Sequence, residues 1–346
     1  MPDTPFVSVL MPVRNEAAFI RRSVAAVLAQ DYPDTRMEII IADGLSNDGT
    51  REAIKAVQLQ NANVKLIDNP GKIVSTGLNA ALRVAKGEVI IRVDGHCEIA
   101  GDYVSRAVSH LTDPKVDCVG GPLKTVGETY AARAIAAAMS STFGVGGSAF
   151  RVGTQNAKFV DTVAFPGFRR ETIQLAGPFD EELVRNQDDE YSYRVRKLGG
   201  RILLAPDIRS RYYSRASFRK LWKQYFQYGY WKVRVLQKHS RQMSARQFVP
   251  PLFVIVLLLL CLTAPLFSLS KWSLIATLGA YGLLSLGATI AAAARTGWRF
   301  FPLVPIAFTI IHLAYGAGFL VGLVRFWNRW GDHTISPAGW QIVAGG

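Results

Sequence analysis

Residues 89–96 read Val89-Ile90-Ile91-Arg92-Val93-Asp94-Gly95-His96. A short apolar run ending on a carboxylate, a glycine and an imidazole has the pattern of a buried strand, here over 88–93, that delivers polar side chains at its carboxyl end. Upstream the pattern recurs. Apolar runs at 6–11, 38–42 and 64–67 predict strands, and helical spacing over 17–29, from near Gly49, and over 73–85 fills the intervals. A further strand is predicted over 116–120. Strands alternating with helices build a mainly parallel sheet from βαβ units, with ligands bound beyond the carboxyl ends of the strands. Three polar clusters fall at such ends, at 12–16, 43–50 and 94–96. Their convergence predicts an α/β fold with a nucleotide-sized pocket.

Each cluster has a chemical reading beside a plainer one. A carboxylate at Asp94 with a second potential ligand at His96 can hold a divalent cation, which bridges diphosphate oxygens and offsets charge on a leaving group. Gly95 leaves a nucleotide room to approach the backbone, while an Asp-Gly pair after a strand equally makes a turn. In Asp43-Gly44-Leu45-Ser46-Asn47-Asp48-Gly49-Thr50, Asp43 can accept a hydrogen bond from a base ring N–H, and Ser46, Asn47 or Asp48 can cap the next helix. Pro12-Val13-Arg14-Asn15-Glu16 offers partners for a ribose or base, and alone is also an ordinary loop. Gln187-Asp188-Asp189-Glu190 opens a helix that runs to Gly199-Gly200. Acids there suit a helix N-terminus, and a carboxylate in a pocket wall equally suits a general base that activates an attacking hydroxyl. Phe165-Pro166-Gly167-Phe168-Arg169-Arg170 can shape an acceptor cleft or form a turn at a strand edge. The glycine-rich 143–151 and the scattered His110, His239, His312 and His333 receive no role. Walker, zinc and Gly-x-Ser-x-Gly patterns are lacking.

The rest of the chain is of another kind. Of 346 residues 49% are hydrophobic, with a net charge of +14, and neither is evenly spread. Residues 1–207 carry 24 basic and 25 acidic side chains, residues 208–246 carry 11 basic and none acidic. Basic residues directly before an apolar region suit an anionic leaflet, at about 1 kcal/mol each, so a membrane surface is expected and no nucleic acid. Apolar stretches at 248–269, 272–294 and 301–327 each reach the ~20 residues that cross hydrocarbon. Aromatic residues such as Trp272, Trp298 and Trp327 mark their ends, and the preceding basic segment puts the α/β domain in the cytoplasm. Over 216–238, Phe218, Leu221, Trp222, Tyr225, Phe226, Gly229, Val233 and Leu236 form a stripe, with Arg219, Lys220, Lys223, Lys232, Arg234 and Lys238 mostly off it. Such a helix lies in the membrane interface or packs on the soluble domain. Cys97, Cys118 and Cys261 make no disulfide framework, in keeping with a reducing cytoplasm, and the N-terminus has no signal-peptide pattern. The expected organisation is an α/β domain over 1–215, a basic amphipathic region over 216–246, three transmembrane helices over 247–330 and a tail over 331–346.

In this order the motifs resemble family 2 inverting glycosyltransferases, which have the Rossmann-like GT-A fold. The resemblance spans about residues 5–235. It rests on the segments beginning Val9-Leu10-Met11-Pro12 and Ile41-Ala42-Asp43, on Gly77-Leu78-Asn79-Ala80-Ala81, on Arg92-Val93-Asp94-Gly95-His96 and on Asp188-Asp189-Glu190-Tyr191-Ser192-Tyr193-Arg194. Within the family, it is similar to bacterial exopolysaccharide glucosyltransferases of the succinoglycan type. The resemblance implies a UDP-sugar donor, Mg²⁺ or Mn²⁺, a polyprenyl-diphosphate-linked acceptor and a place in the bacterial inner membrane. It implies that Asp43 contacts uracil, that Asp94 holds the metal, with His96 as a second ligand or as a hydrogen-bond donor to phosphate, and that Asp188 or Asp189 is the base. Pro12, Arg14, Asn15, Glu16, Ser46, Lys72 and Asn79 join the donor site. Two positions depart from the family pattern: His96 replaces the usual second metal aspartate, and Gln187 replaces an acid before the base. The Gln-x-x-Arg-Trp signature of processive synthases is only approximated by Gln227-Tyr228-Gly229-Tyr230-Trp231, which favours addition of one sugar. Transfer to polyprenyl phosphate itself, or an inactive membrane scaffold, are the alternatives.

Overall fold

The computed structural model describes residues 4–214 and 216–335. It divides into two compact units, one of residues up to Lys124 with Gly153–Tyr212, the other of Thr125–Val152 with Tyr213–Thr334. An undivided domain over 1–215 is the expectation from sequence, but residues 125–152 group with the helical unit. The predicted tail lies mostly outside the described residues.

The chain begins β1 (Val7–Val13), α1 (Ile20–Leu28), β2 (Met37–Asp43), α2 (Thr50–Gln58), β3 (Val64–Asp68), α3 (Val74–Val84) and β4 (Val89–Arg92). Then follow β5 (Cys97–Ile99), α4 (Tyr103–Leu111), β6 (Cys118–Gly121) and β7 (Leu123–Val126). The inserted segment holds α5 (Tyr130–Met139), α6 (Thr142–Val145) and α7 (Ala149–Val152). The α/β unit resumes with β8 (Lys158–Val160), β9 (Ala164–Arg169), α8 (Arg170–Ala176), α9 (Gln187–Lys197), β10 (Ile202–Leu204) and β11 (Ser210–Tyr213). Eight strands form one sheet in the order β3-β2-β1-β4-β9-β6-β10-β8, and β5-β11-β7 form a second.

Every residue of β1 and β2 is buried, as continuous apolar runs require of strands covered on both faces. β1 pairs in parallel with β2 from Val7↔Met37 to Val13↔Asp43, and with β4 from Val7↔Val89 to Leu10↔Arg92. The order of strands therefore reverses between β1 and β4, which opens a crevice at their carboxyl ends. Pro12 is a buried strand residue rather than a loop residue. Its missing N–H falls on the β4 side, where the ladder has already ended at Leu10↔Arg92, the setting in which a strand tolerates proline. Residues 165–169 do not form a turn. They lie in β9, antiparallel between β4 and β6.

The helical unit continues with α10 (Phe218–Lys238), α11 (Val249–Thr263), α12 (Ser268–Thr296) and α13 (Val304–Arg325). Among the described residues three segments are long and apolar enough to cross a membrane: Ala245–Thr263, Ser268–Thr296 and Val304–Arg325. The stripe on α10 packs along α13. A Cβ added at Gly229 would lie 2.0 Å from the Tyr315 carbonyl oxygen, one at Gly318 2.0 Å from that of Phe226, and one at Gly322 2.6 Å from that of Tyr230. Val233, Phe319 and Phe326 bury one another beside these contacts. Lys232, Arg234 and Lys238, expected off the stripe, are buried. Arg234 donates to Gln237 Oε1 (2.7 Å) and Asp332 Oδ2 (3.2 Å), and Lys238 Nζ donates to the Thr334 carbonyl (2.8 Å). His312 Nε2 donates to the Phe143 carbonyl (2.8 Å), so the glycine-rich segment left without a role is docked on α13.

Gly229→Val places a branched side chain where the α13 backbone already lies. Overpacking of this kind costs about 1–3 kcal/mol. The variant is expected to melt at lower temperature than wild type in detergent, followed by tryptophan fluorescence; an unchanged melting temperature would contradict the close approach of α10 and α13.

Candidate active site

Hydrogen bonds stitch together the ends of β1 and β2. Asn15 and Leu45 adopt left-handed backbone, with φ of 54° and 55°. Asn15 N donates to Ser46 Oγ (2.8 Å), and Asn47 N donates to Asn15 Oδ1 (3.1 Å). Glu16 N donates to Thr50 Oγ1 (2.8 Å), and Ala17 N donates to Asp48 Oδ2 (3.1 Å). Ser46, Asp48 and Thr50 thus hold the turn leading into α1, while Asp48 Oδ1 also accepts from Thr50 N (3.1 Å) at the start of α2.

Asp43 ends β2 with 0% exposure. Its Oδ1 accepts from Ser46 Oγ (2.5 Å), and its Oδ2 accepts from Ser46 N (3.0 Å) and Arg51 (2.9 Å). Arg51 reaches on to Asp68 Oδ1 (2.7 Å). The Asp43 and Asp68 carboxylates raise the pKa of this guanidinium above its ordinary value. Both oxygens of the residue expected to read a base are therefore engaged. Arg51 escaped the sequence reading; its only signal is its place in the first turn of α2, which starts from the end of β2. Arg14 is exposed, and its Cβ lies 3.1 Å from where a Cβ on Gly44 would stand.

Arg92 and Asp94 are two residues apart on an extended chain and project to one face. Arg92 Nε and Nη2 each lie 2.9 Å from Asp94 Oδ1. Nη1 of the same side chain lies 3.8 Å from Asp188 Oδ2, at the start of α9. The structure so brings Asp94 and Asp188 together around one guanidinium. His96 Nδ1 lies 2.9 Å from Glu16 Oε1, and its ring stands edge-on to Tyr212 at 5.0 Å. A carboxylate oxygen only accepts, so Nδ1 carries the hydrogen and a neutral ring presents its lone pair at Nε2. Gly95 gives no open approach. A Cβ there would be 2.9 Å from Val13 Cγ1 and 3.2 Å from Glu16 Cγ, and its carbonyl accepts from Ser23 Oγ (2.9 Å). Its smallness lets the 94–96 turn close onto the end of β1.

Among the described residues no three His, Cys, Asp or Glu side chains form a metal cage. Asp94 Oδ2 and His96 Nε2 are the donor atoms outside the network just described. One carboxylate and one imidazole fit a cation whose other ligands are diphosphate and water oxygens.

At α9 the acidic residues part ways. Glu190 has no exposed surface and is bound by Arg194 at 2.7 and 3.0 Å. Arg194 also donates to the carbonyls of Ala176 (2.5 Å) and Pro178 (2.7 Å), which makes the pair a structural clamp. Asp188 keeps 47% of its side chain exposed, and its Oδ1 accepts from Asp189 N (3.1 Å). Asp189 is half-buried. Gln187 is buried, and its Oε1 finds no hydrogen-bond partner among the described residues.

Asn79 is not at the donor crevice. Its buried amide donates to the Phe179 carbonyl (2.9 Å) and to Glu181 Oε1 (2.9 Å), the latter bond part-buried, and accepts from Phe179 N (2.8 Å). With Ser75 Oγ donating to the Leu183 carbonyl (3.2 Å), it fixes the segment that leads into α9. Lys72 is exposed, in left-handed backbone with φ of 61°, and its N donates to the Asn69 carbonyl (3.0 Å).

Residues 8–171 match the family model for Glycosyl transferase family 2. Succinoglycan biosynthesis protein ExoA of Rhizobium meliloti (strain 1021) is 29% identical, over 93% of this chain and 96% of its own length. A dolichyl N-acetyl-alpha-D-glucosaminyl phosphate 3-beta-D-2,3-diacetamido-2,3-dideoxy-beta-D-glucuronosyltransferase of Methanococcus voltae is 27% identical, over 92% of this chain and 98% of its own. The mannosyltransferase PcManGT from Pyrobaculum calidifontis, solved with GDP-Man and Mn²⁺, superposes with a TM-score of 0.58 at 21% identity, covering 93% of this chain and 88% of that one, a likeness of fold. Residues 8–171 therefore belong to a domain that matches Glycosyl transferase family 2, with the GT-A fold and its crevice at β1, β2 and β4, in a chain whose described residues include three helices long and apolar enough to cross a membrane.

Proposed function

We propose that the chain transfers one sugar, glucose from UDP-glucose, to a polyprenyl-diphosphate-linked saccharide at the cytoplasmic face of the bacterial inner membrane, as a step of exopolysaccharide assembly. The observation that carries this reading is the meeting of Asp94 and Asp188, distant in sequence, at Arg92. The near full-length likeness to ExoA supports an exopolysaccharide role. The Methanococcus relative, whose name describes a dolichyl-linked sugar acceptor, supports a lipid-linked one. The 11 basic and no acidic residues over 208–246 support a cytoplasmic catalytic unit.

Asp188 is the base. Its side chain is 47% exposed and meets the Arg92 guanidinium only at 3.8 Å, so it can receive the proton of an acceptor hydroxyl. The hydroxyl oxygen then attacks the anomeric carbon from the face opposite the diphosphate, and one displacement inverts the configuration. Asp189, one residue on, is the second candidate. Ser46, with Arg14, Asn15 and Lys72, surrounds the nucleoside end, and Asp43 holds Ser46 from within the sheet. A Mg²⁺ or Mn²⁺ held by Asp94 and His96 would offset the negative charge that develops on departing UDP. An imidazole ligand favours Mn²⁺ over Mg²⁺, which prefers oxygen throughout. Glu16 orients His96, as carboxylates orient metal-binding histidines elsewhere.

Asp188→Asn is expected to abolish sugar transfer in membranes supplied with UDP-glucose, Mn²⁺ and a lipid extract, while UDP binding stays within a few-fold of wild type. Full activity of this variant would remove Asp188 as the base. Absence of UDP release by wild type with any lipid acceptor would favour an inactive scaffold, and a monosaccharide phosphodiester as product would favour transfer to polyprenyl phosphate. Glu16→Gln is expected to weaken Mn²⁺ binding in the presence of UDP by about 10–100-fold, read by electron paramagnetic resonance of free Mn²⁺; unaltered affinity would argue against His96 as a ligand.

A further inference from the structure

Arg92 is outside the functional roles assigned so far, yet it sits between the side chains given two different tasks. It ends β4 and is 7% exposed. A buried guanidinium needs partners for its donors. Two of its nitrogens lie 2.9 Å from Asp94 Oδ1, and the third lies 3.8 Å from Asp188 Oδ2. The strand puts Arg92 and Asp94 on one face, and the first turn of α9 brings Asp188 from elsewhere in the sheet unit. A planar, forked cation can hold both carboxylates at once; an ammonium on a flexible stem meets one of them as a point charge.

Resting on the glycosyltransferase reading above, we propose that Arg92 is a positioning residue that fixes Asp188 across the cleft from Asp94 and that competes with the donor's divalent cation for Asp94. The two actions have opposite signatures. Without Arg92, Asp94 is left to the cation alone, and the cation binds beside one fewer positive charge. Without Arg92, Asp188 also loses the partner that aims it at the acceptor, and turnover slows. Loss of a merely structural arginine would weaken cation binding and turnover together.

Arg92→Gln and Arg92→Lys, made in the full-length chain, separate these cases. With UDP present, Arg92→Gln is expected to bind Mn²⁺ about fivefold more tightly, the scale of one screened charge at contact distance, by electron paramagnetic resonance of free Mn²⁺. Its kcat is expected to fall about 10–100-fold, the penalty for a misplaced catalytic group, with a smaller change in KM for the donor. Arg92→Lys keeps the charge and loses the fork, so its Mn²⁺ affinity returns towards wild type while kcat recovers only in part. Unchanged or weaker Mn²⁺ binding by Arg92→Gln overturns the proposal, as does full kcat in either variant. Should Arg92→Gln lose the wild-type melting transition, Arg92→Lys decides: near-native Mn²⁺ affinity with lowered kcat supports the proposal, and parallel loss of both overturns it. Wild-type protein that binds no Mn²⁺ with UDP would overturn the donor and cation reading itself, a result distinct from failure of Arg92 alone.

Discussion

Carboxylates gathered at one end of a sheet repel one another and lose hydration, and the crevice of this protein exists because arginines accompany them. Burying a charge without a partner is among the costliest changes a fold can make. Asp43, fully buried, is bound by Arg51. Glu190, equally buried, is bound by Arg194. Asp94 is bound by Arg92, which reaches towards Asp188 at longer range. The pattern grades the acids by freedom. Glu190 is clamped on both oxygens and cannot trade a proton without breaking the clamp, whereas Asp188 retains open surface and a single distant cation. The carboxylate with room for a substrate hydroxyl beside it is Asp188, at the start of α9.

Asp188 owes its position to residues that never approach a substrate. The segment before α9 has no strand or helix of its own between Ala176 and Gln187, and its order comes from polar anchors. Asn79 and Ser75 on α3 hold Phe179, Glu181 and Leu183. Arg194 holds the Ala176 and Pro178 carbonyls from within α9, and Phe179 stacks on Tyr191 at 4.0 Å. Burial pushes the Tyr191 hydroxyl well up from its ordinary pKa, so it stays a neutral donor to the Gly177 carbonyl (3.0 Å). Side chains that bond buried backbone fix a loop more firmly than apolar contact alone, because each broken bond leaves a group unpaired.

What was legible in the sequence follows the range of the forces involved. Strand and helix periodicity is local, so the order of elements from β1 to β4 and the placing of polar clusters at strand ends are readable from the residues alone. The arginines were not readable. Arg51 and Arg92 look like ordinary charged residues until β2, β4 and α9 are brought together, and no spacing rule links residue 92 to residue 188. Asn79 misled for the opposite reason: a polar residue inside a recurring motif suggests ligand binding, while its amide geometry equally serves a buried loop. Gly95 was read as room for a nucleotide and is room for Val13 and Glu16. The stripe on α10 was visible, but its partner, α13, follows much later in the chain, and nothing local distinguishes a face that meets lipid from one that meets another helix.

The contact of α10 with α13 shows how that ambiguity is resolved physically. Where lipid surrounds the helices, apolar side chains gain little by leaving it, and association depends on close backbone approach at small residues. Gly229, Gly318 and Gly322 supply that approach. It also lets basic residues turn inward. Asp332 is the lone acidic side chain after residue 207, and it accepts from Thr334, Arg329 and Arg234. The bonds from Thr334 and Arg329, with the nearby charge of Arg234, hold its carboxyl far below the usual range. The basic excess before the first span is therefore of two kinds. Arg219, Lys220 and Lys223 are exposed or nearly so on α10 and remain available to anionic headgroups, whereas Arg234 is spent inside the helical unit on the one carboxylate available to it.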